Sequence, residues 1–444
     1  MNEDLARLPG LLSGYAAGLL DGLDGRPAAV QPVPPPARPL PPAAGLEGAL
    51  ADFAERWEPG FSGGAGPRYL GFVTGGTTPA SIAGDWLTTV LDQNPTSLLD
   101  STAPDLEQET LGWLAELLAL PSHTGMFVSG ATMSTTAGLA IAREWLGERA
   151  GVSPAEDGTA ALGEITVLSG APHSSVAKAL SMLGIGRRRL QAVPTLPGRE
   201  AVDPDALDEA LTALGGRPAI VVANAGTVNT VDFDDLRAIA ALRDRHPFWL
   251  HADAAFGGFA ALSPSHAGLV AGLDEADSVC VDLHKWLNVP YDSAVQFTRR
   301  RDLQTQVFKN SAAYLGAPGA ADPVHLTPEN SRRLRALPAW FTLRAYGREG
   351  HRAIVERNIA QAHRLGGILA ASPGWRLLAP VRLNVVCFAH DSRSPEAVMN
   401  DVAASGEAFV TPTVLWGTPG IRAAFSNWRT TDEDVDRVAR TLVQ

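Results

Sequence analysis

Lysine is scarce in this chain: only Lys178, Lys285 and Lys309 occur, and arginine fills the other 33 of the 36 basic positions. Arginine stays protonated at any useful pH, whereas a lysine amine can lose its proton and attack a carbonyl carbon. Lys285 stands in Asp277-Ser-Val-Cys-Val-Asp-Leu-His-Lys-Trp-Leu287, where a short apolar strand delivers His284, Lys285 and Trp286 to its end. That setting suits an imine-forming lysine, and a plain surface lysine after a strand would look similar.

Three other segments carry complementary chemistry. Ser129-Gly-Ala-Thr-Met-Ser-Thr-Thr136 lies between a strand and a helix. Its small side chains, hydroxyls and helix-start N–H groups, centred on Ala131 and Thr132, suit a phosphate. His173, in Ala-Pro-His-Ser-Ser-Val, can stack on an aromatic ring or cap the following helix. Asp253 ends Trp249-Leu-His-Ala-Asp, 32 residues before Lys285, and the small Ala254 and Ala255 follow it. A carboxylate there can keep a ring nitrogen protonated, with Ala255 leaving room beneath the ring. An isolated aspartate after a strand is also a common turn residue. Phosphate cradle, stacking ring, pyridinium partner and imine lysine together are what pyridoxal 5'-phosphate requires.

These residues need a scaffold that gathers strand ends. Between about 80 and 290, short apolar runs alternate with helical patterns. The predicted strands are 125–129, 164–169, 219–223, 249–253 and 278–282, and the helices between them include 133–146, 174–183 and 234–243. Such alternation predicts an α/β domain with a mainly parallel sheet, helices on both faces, and ligands beyond the carboxyl ends of the strands. Helices are expected at 3–24 and 46–57, joined through a proline-rich connector at 31–42. Residues 300–335 read as polar and irregular. A helix near 336–370 leads into an α+β segment with strands at 381–388 and 421–426 and a terminal helix at 432–442. The expected divisions are an N-terminal segment 1–79, a large domain 80–335 and a small C-terminal domain 336–444.

Bulk properties narrow the partners. A net charge of −12 without a long basic stretch argues against nucleic acid. No uncharged apolar run reaches membrane-spanning length, and the first residues lack the basic start of a secretory signal, so a cytoplasmic protein is expected. Cys280 and Cys387 lie far apart in apolar runs, which offers neither a disulfide framework nor a metal site. Nor is either placed on a mobile loop, where cysteine desulfuration would need a thiol.

Taken in order, the chain resembles the group II pyridoxal-phosphate-dependent amino-acid decarboxylases, relatives of the aromatic-amino-acid and glutamate decarboxylases. The similarity runs through Pro67-Arg-Tyr-Leu-Gly-Phe-Val-Thr74, Leu106-Glu107, Trp113-Leu114, Gly130 to Arg143, His173-Ser-Ser-Val, Gly226-Thr227 and His251-Ala-Asp-Ala-Ala-Phe256. It continues in Asp282-Leu-His-Lys-Trp286, Arg335-Ala-Leu-Pro-Ala-Trp-Phe341, Arg344-Ala-Tyr-Gly347 and Ser426-Asn-Trp-Arg-Thr430. The resemblance implies fold type I, with a mainly parallel seven-stranded sheet and a small C-terminal α+β domain, and a homodimer with its active site at the subunit interface.

It also implies residue roles. Lys285 would be the Schiff-base lysine, Asp253 the ring-nitrogen partner and His173 the stacking ring. Ala131 and Thr132 would hold the phosphate, helped by Asp282 or His284. Thr227 and Ala255 would border the ring, and Thr74 would lie on the substrate side. The family often has asparagine where Asp282 stands, and an anion beside a phosphate is unhelpful. Tyr314, in Asn310-Ser-Ala-Ala-Tyr-Leu315, matches the tyrosine that returns a proton to Cα, where related aldehyde synthases carry phenylalanine. It therefore favours plain decarboxylation to an amine over oxidative deamination to an aldehyde or carbon–carbon lyase chemistry. A catalytically silent scaffold is the more distant alternative. Where aromatic-specific relatives place bulky rings, Gly71 and the glycine-rich approach 61–67 either open the pocket or leave it to other residues. Arg422 is a candidate for a substrate carboxylate. An aromatic substrate is expected slightly ahead of an acidic one.

Overall fold

The five predicted strands all form, and two more complete the sheet. The computed structural model describes residues 2–31, 33–310 and 322–443. Its strands are β1 (Thr124–Val128), β2 (Val167–Ser169), β3 (Leu190–Ala192), β4 (Ala219–Asn224), β5 (Phe248–Asp253), β6 (Ser278–Asp282) and β7 (Ala294–Thr298). Their spatial order is β1-β7-β6-β5-β4-β2-β3. Pairing is parallel from β3 through β2, β4 and β5 to β6, while β7 runs antiparallel to both β6 and β1. Every residue of β4, β5, β6 and β7 is buried, as expected of strands covered on both faces. Ile141 and Leu146 of the helix Ala131–Ala150 share a core with Val167, Ile220, Val222 and Trp249.

Two compact units divide the chain, Thr77–Arg357 with the large sheet and Met1–Gly76 joined to Asn358–Gln444. The second division, after Arg357, falls inside the helix Ala336–Ala371. The N-terminal residues group with the C-terminal ones through pairings such as Leu70 N to Phe409 O and Arg68 with Asp434.

The second unit's sheet is antiparallel, with β8 (Trp375–Leu377), β9 (Val385–His390), β10 (Thr411–Leu415) and β11 (Thr418–Ala424) in the order β10-β11-β9-β8. Phe388, Ile421 and Phe425 pack there with Leu365 and with Val435 and Val438 of the terminal helix Asp432–Val443. Within the segment read as irregular, Arg301–Phe308 is helical. No helix among the described residues is long and apolar enough to cross a membrane.

Candidate active site

Parallel strands end on one edge, and that edge collects Asp253 and Asp282, with Lys285 just beyond. In register, Asn224 of β4 faces Asp253 of β5, and Asp253 faces Cys280 of β6, two residues before Asp282. Lys285 follows on the one-turn helix Leu283–Trp286.

The lysine is held on one side by Asp282. Its Nζ lies 2.7 Å from Asp282 Oδ2, and the lysine side chain is 21% exposed against 3% for the aspartate. Nζ also lies 5.6 Å from the centre of the Phe256 ring, within cation–π range. Burial alone would lower the Lys285 pKa, but the charge and hydrogen bond of Asp282, with the more distant Asp253, raise it above the ordinary value. The other oxygen of Asp282 accepts the Ala131 N–H at 2.6 Å, at the start of the helix Ala131–Ala150. An anion is favoured there by the helix dipole and by otherwise unbonded N–H groups. The carboxylate thus pairs with Lys285 itself and also occupies the first N–H of the helix start.

The cradle itself is accessible: Ser129 to Met133, including Ala131 and Thr132, are half-exposed, whereas Ser134 onward is buried. His284 stands beside it. Its Nδ1 accepts the Ser293 N–H, its Nε2 lies 3.5 Å from Asp282 Oδ1, and its ring packs 4.4 Å from that of Tyr291. Burial lowers the His284 pKa, against the charge of Asp282.

Asp253 is buried, and Oδ1 accepts the Ala255 N–H at 3.1 Å. Burial pushes its pKa above the usual carboxylate range, against the pull of Lys285 and His173 and helped by the charge of Asp282. Ala255 is buried too, and its carbonyl accepts the Asp282 N–H. His173 caps the helix Ser174–Met182, its Nδ1 accepting the Ser175 N–H at 3.3 Å. The capping and stacking readings are compatible, because the cap bond fixes the plane of an exposed ring.

Thr227 is buried, and its hydroxyl is committed: it donates to Glu200 Oε2 at 2.6 Å and accepts the Asp232 N–H at 2.9 Å. Bordering a ring would fall to its methyl group and backbone. This pairing belongs to an acidic network that sequence reading missed, comprising Glu200, Asp232 and Asp234. The signal for it was Asp232-Phe-Asp-Asp235 just past a strand, with Glu200 brought in from 27 residues upstream of Thr227.

Thr74 and Arg422 belong to the other unit. Arg422 is buried in β11 and donates to the Phe72 carbonyl, so it anchors the loop that carries Thr74. That loop holds Phe72 at φ 60° and Val73 at φ 148°. A Cβ at Gly71 would sit 2.3 Å from the Phe409 ring, so the space beside this glycine is left to another residue. Phe409 stacks on Tyr69 at 4.7 Å and lies 6.0 Å from Phe72, whose ring is 61% exposed. Tyr314 lies outside the described residues.

Comparison with known proteins shows the following similarities. The family profile described as "Pyridoxal-dependent decarboxylase conserved domain" matches residues 40–391. Aromatic-L-amino-acid decarboxylase of Sus scrofa is 31% identical over 401 residues, covering 84% of this chain and 82% of that protein. The protein of the same name from Bacillus atrophaeus is 27% identical over 389 residues, 83% and 79% of the respective lengths. The solved structure of Oryza sativa TDC with PLP and tryptamine superposes with a TM-score of 0.90 at 22% identity, over 100% of this chain and 99% of that one.

Proposed function

Because the chain belongs to the pyridoxal-dependent decarboxylase family, we propose that it decarboxylates an aromatic L-amino acid to the corresponding amine. It is a pyridoxal-phosphate-dependent carboxy-lyase, as the fold and the relatives together establish. The aromatic substrate is the proposed part. The observation that supports it is the names of the relatives, aromatic-L-amino-acid decarboxylases and a tryptophan decarboxylase.

The residues present fit the cofactor. Asp253 is a buried carboxylate whose desolvation is unfavourable until a cation stands beside it, and a protonated ring nitrogen is such a cation. Lys285 offers a partly exposed amine, and the half-exposed helix start beyond Ala131, whose own N–H is held by Asp282, offers N–H groups for a phosphate. When bound, the cofactor supplies the electron sink for breaking the Cα–carboxylate bond.

The chain's own residues do the rest. Lys285 binds the cofactor aldehyde through Nζ. Asp253 holds a proton at the ring nitrogen, an electrostatic effect strengthened by its burial. His173, fixed by its cap bond, orients the ring plane, and Ala255 leaves that plane clear. Thr227, held by Glu200, borders it. Thr74 on its Arg422-anchored loop serves the substrate, and Tyr314 returns a proton to Cα.

A homodimer is part of the proposal. The helix Pro79–Leu91 exposes Trp86, Leu87, Val90 and Leu91, and Leu98 and Leu99 follow. Apolar exposure of that kind on one helix supports a covering subunit.

The test is a screen of the common L-amino acids for released carbon dioxide, with amine, aldehyde and peroxide measured for each substrate that reacts. Turnover of tryptophan, tyrosine or phenylalanine to amine is expected. Turnover confined to acidic substrates would overturn the aromatic assignment, and aldehyde with peroxide would overturn the amine product.

A further inference from the structure

Asp282 holds two groups that the cofactor needs. Its Oδ1 accepts the Ala131 N–H at 2.6 Å, and its Oδ2 pairs with Lys285 Nζ at 2.7 Å. With 3% of its side chain exposed, it makes both contacts out of water, where charge interactions are strongest. His284 Nε2, 3.5 Å from Oδ1, closes the remaining approach. A neutral amide at this position could still accept from Ala131, but it would carry no charge against a phosphate and no acceptor charge for an ammonium.

We infer that Asp282 is a positioning residue that competes with the cofactor's phosphate for the start of the helix Ala131–Ala150 and keeps Lys285 protonated until loading. The inference rests on the Schiff-base reading of Lys285. Two consequences follow from the geometry. A phosphate reaching the helix start meets a fixed negative charge, so the phosphate group adds less to affinity than a bare helix N-terminus would give. Imine formation needs the lone pair on Nζ: one proton leaves the ammonium, nitrogen bonds to the aldehyde carbon, and the aldehyde oxygen departs as water. Asp282 holds that proton in place, because a neighbouring opposite charge favours the charged amine.

The test compares pyridoxal 5'-phosphate with phosphate-free pyridoxal on full-length wild type and Asp282→Asn, each stripped of cofactor. Affinities come from absorbance titration, and adducts at Lys285 are trapped with borohydride and read by mass spectrometry. In Asp282→Asn the affinity ratio of phosphorylated to phosphate-free aldehyde is expected to rise by about tenfold or more. The pH midpoint for labelling Lys285 with pyridoxal is expected to fall by about one unit. An unchanged or smaller ratio overturns the inference, whatever happens to turnover.

Should Asp282→Asn not fold, the wild type decides alone. Millimolar inorganic phosphate is expected to leave pyridoxal labelling of Lys285 unaffected, and protection by phosphate would overturn the inference. Failure of wild type to form any borohydride-stable adduct at Lys285 would instead remove the Schiff-base reading beneath it.

Discussion

Two carboxylate clusters sit at neighbouring strand ends of one sheet, and they are built in opposite ways. In the network after β4, each acid is supplied with donors. Asp232 accepts from Arg199 and from the backbone N–H groups of Glu200, Ala201 and Phe233. Glu200 accepts from the Thr227 and Thr230 hydroxyls, the Thr230 N–H and the Asn229 amide. Asp234 accepts from the N–H groups of Val202 and Asn224. At the end of β5, by contrast, Asp253 takes a bond from Ala255 N–H and feels Lys285 only through space. Saturation fixes a backbone. A buried carboxylate short of compensation keeps its capacity for a cationic ligand, and that capacity makes the second cluster a site.

If this contrast is right, mutations should separate chemistry from stability. Lys285→Ala should abolish decarboxylation by at least ~10³-fold while leaving the circular dichroism of the cofactor-free protein unchanged. Asp253→Asn should cost about 10²- to 10³-fold in kcat, as losing one buried electrostatic partner does elsewhere, again with the fold intact. A large stability loss from Asp253→Asn would mean that its carboxylate is structural after all.

The network after β4 should behave in reverse. Asp232→Ala strands the Glu200, Ala201 and Phe233 N–H groups and should lower unfolding free energy by about 1–3 kcal/mol per group left unsatisfied. Denaturant melts check this, and an unchanged midpoint would break the comparison.

A subtler effect concerns Asp234, whose pKa burial raises from 3.8 to about 6. The native state therefore holds more protons than the unfolded chain between those values, so its stability falls as pH rises through that window. Relative to Asp234→Asn, which cannot ionise, wild type should lose up to about 3 kcal/mol from below pH 4 to above pH 6. A wild type that gains on the variant over the same range would place the pKa shift in the other direction.

Much of this was legible in the primary structure because the site lies where strands end. Asp253, Lys285 and the Gly130 turn each close a short apolar run; parallel pairing brings the first two ends together, and β7, antiparallel to both β6 and β1, brings the third to the same edge. The missed strands were quiet ones. Leu190–Ala192 is three residues long, and Ala294–Thr298 follows Pro290-Tyr-Asp-Ser and runs against its neighbours. Long-range packing stayed hidden. Which residue fills the space beside Gly71 was not readable, because Phe409 is distant in sequence and close in the fold. Nor was the partner of Thr227, because Glu200 arrives from a separate loop. Charge type was readable at Asp282, but not that one carboxylate would hold both an ammonium and a helix start.

The central claim is that one of three lysines carries the cofactor. Incubating the protein with pyridoxal 5'-phosphate, reducing with borohydride and mapping the peptides tests it directly. A phosphopyridoxyl group on Lys285, with Lys178 and Lys309 unmodified, is the predicted result. Label spread evenly over all three lysines, or absent from Lys285, would contradict it.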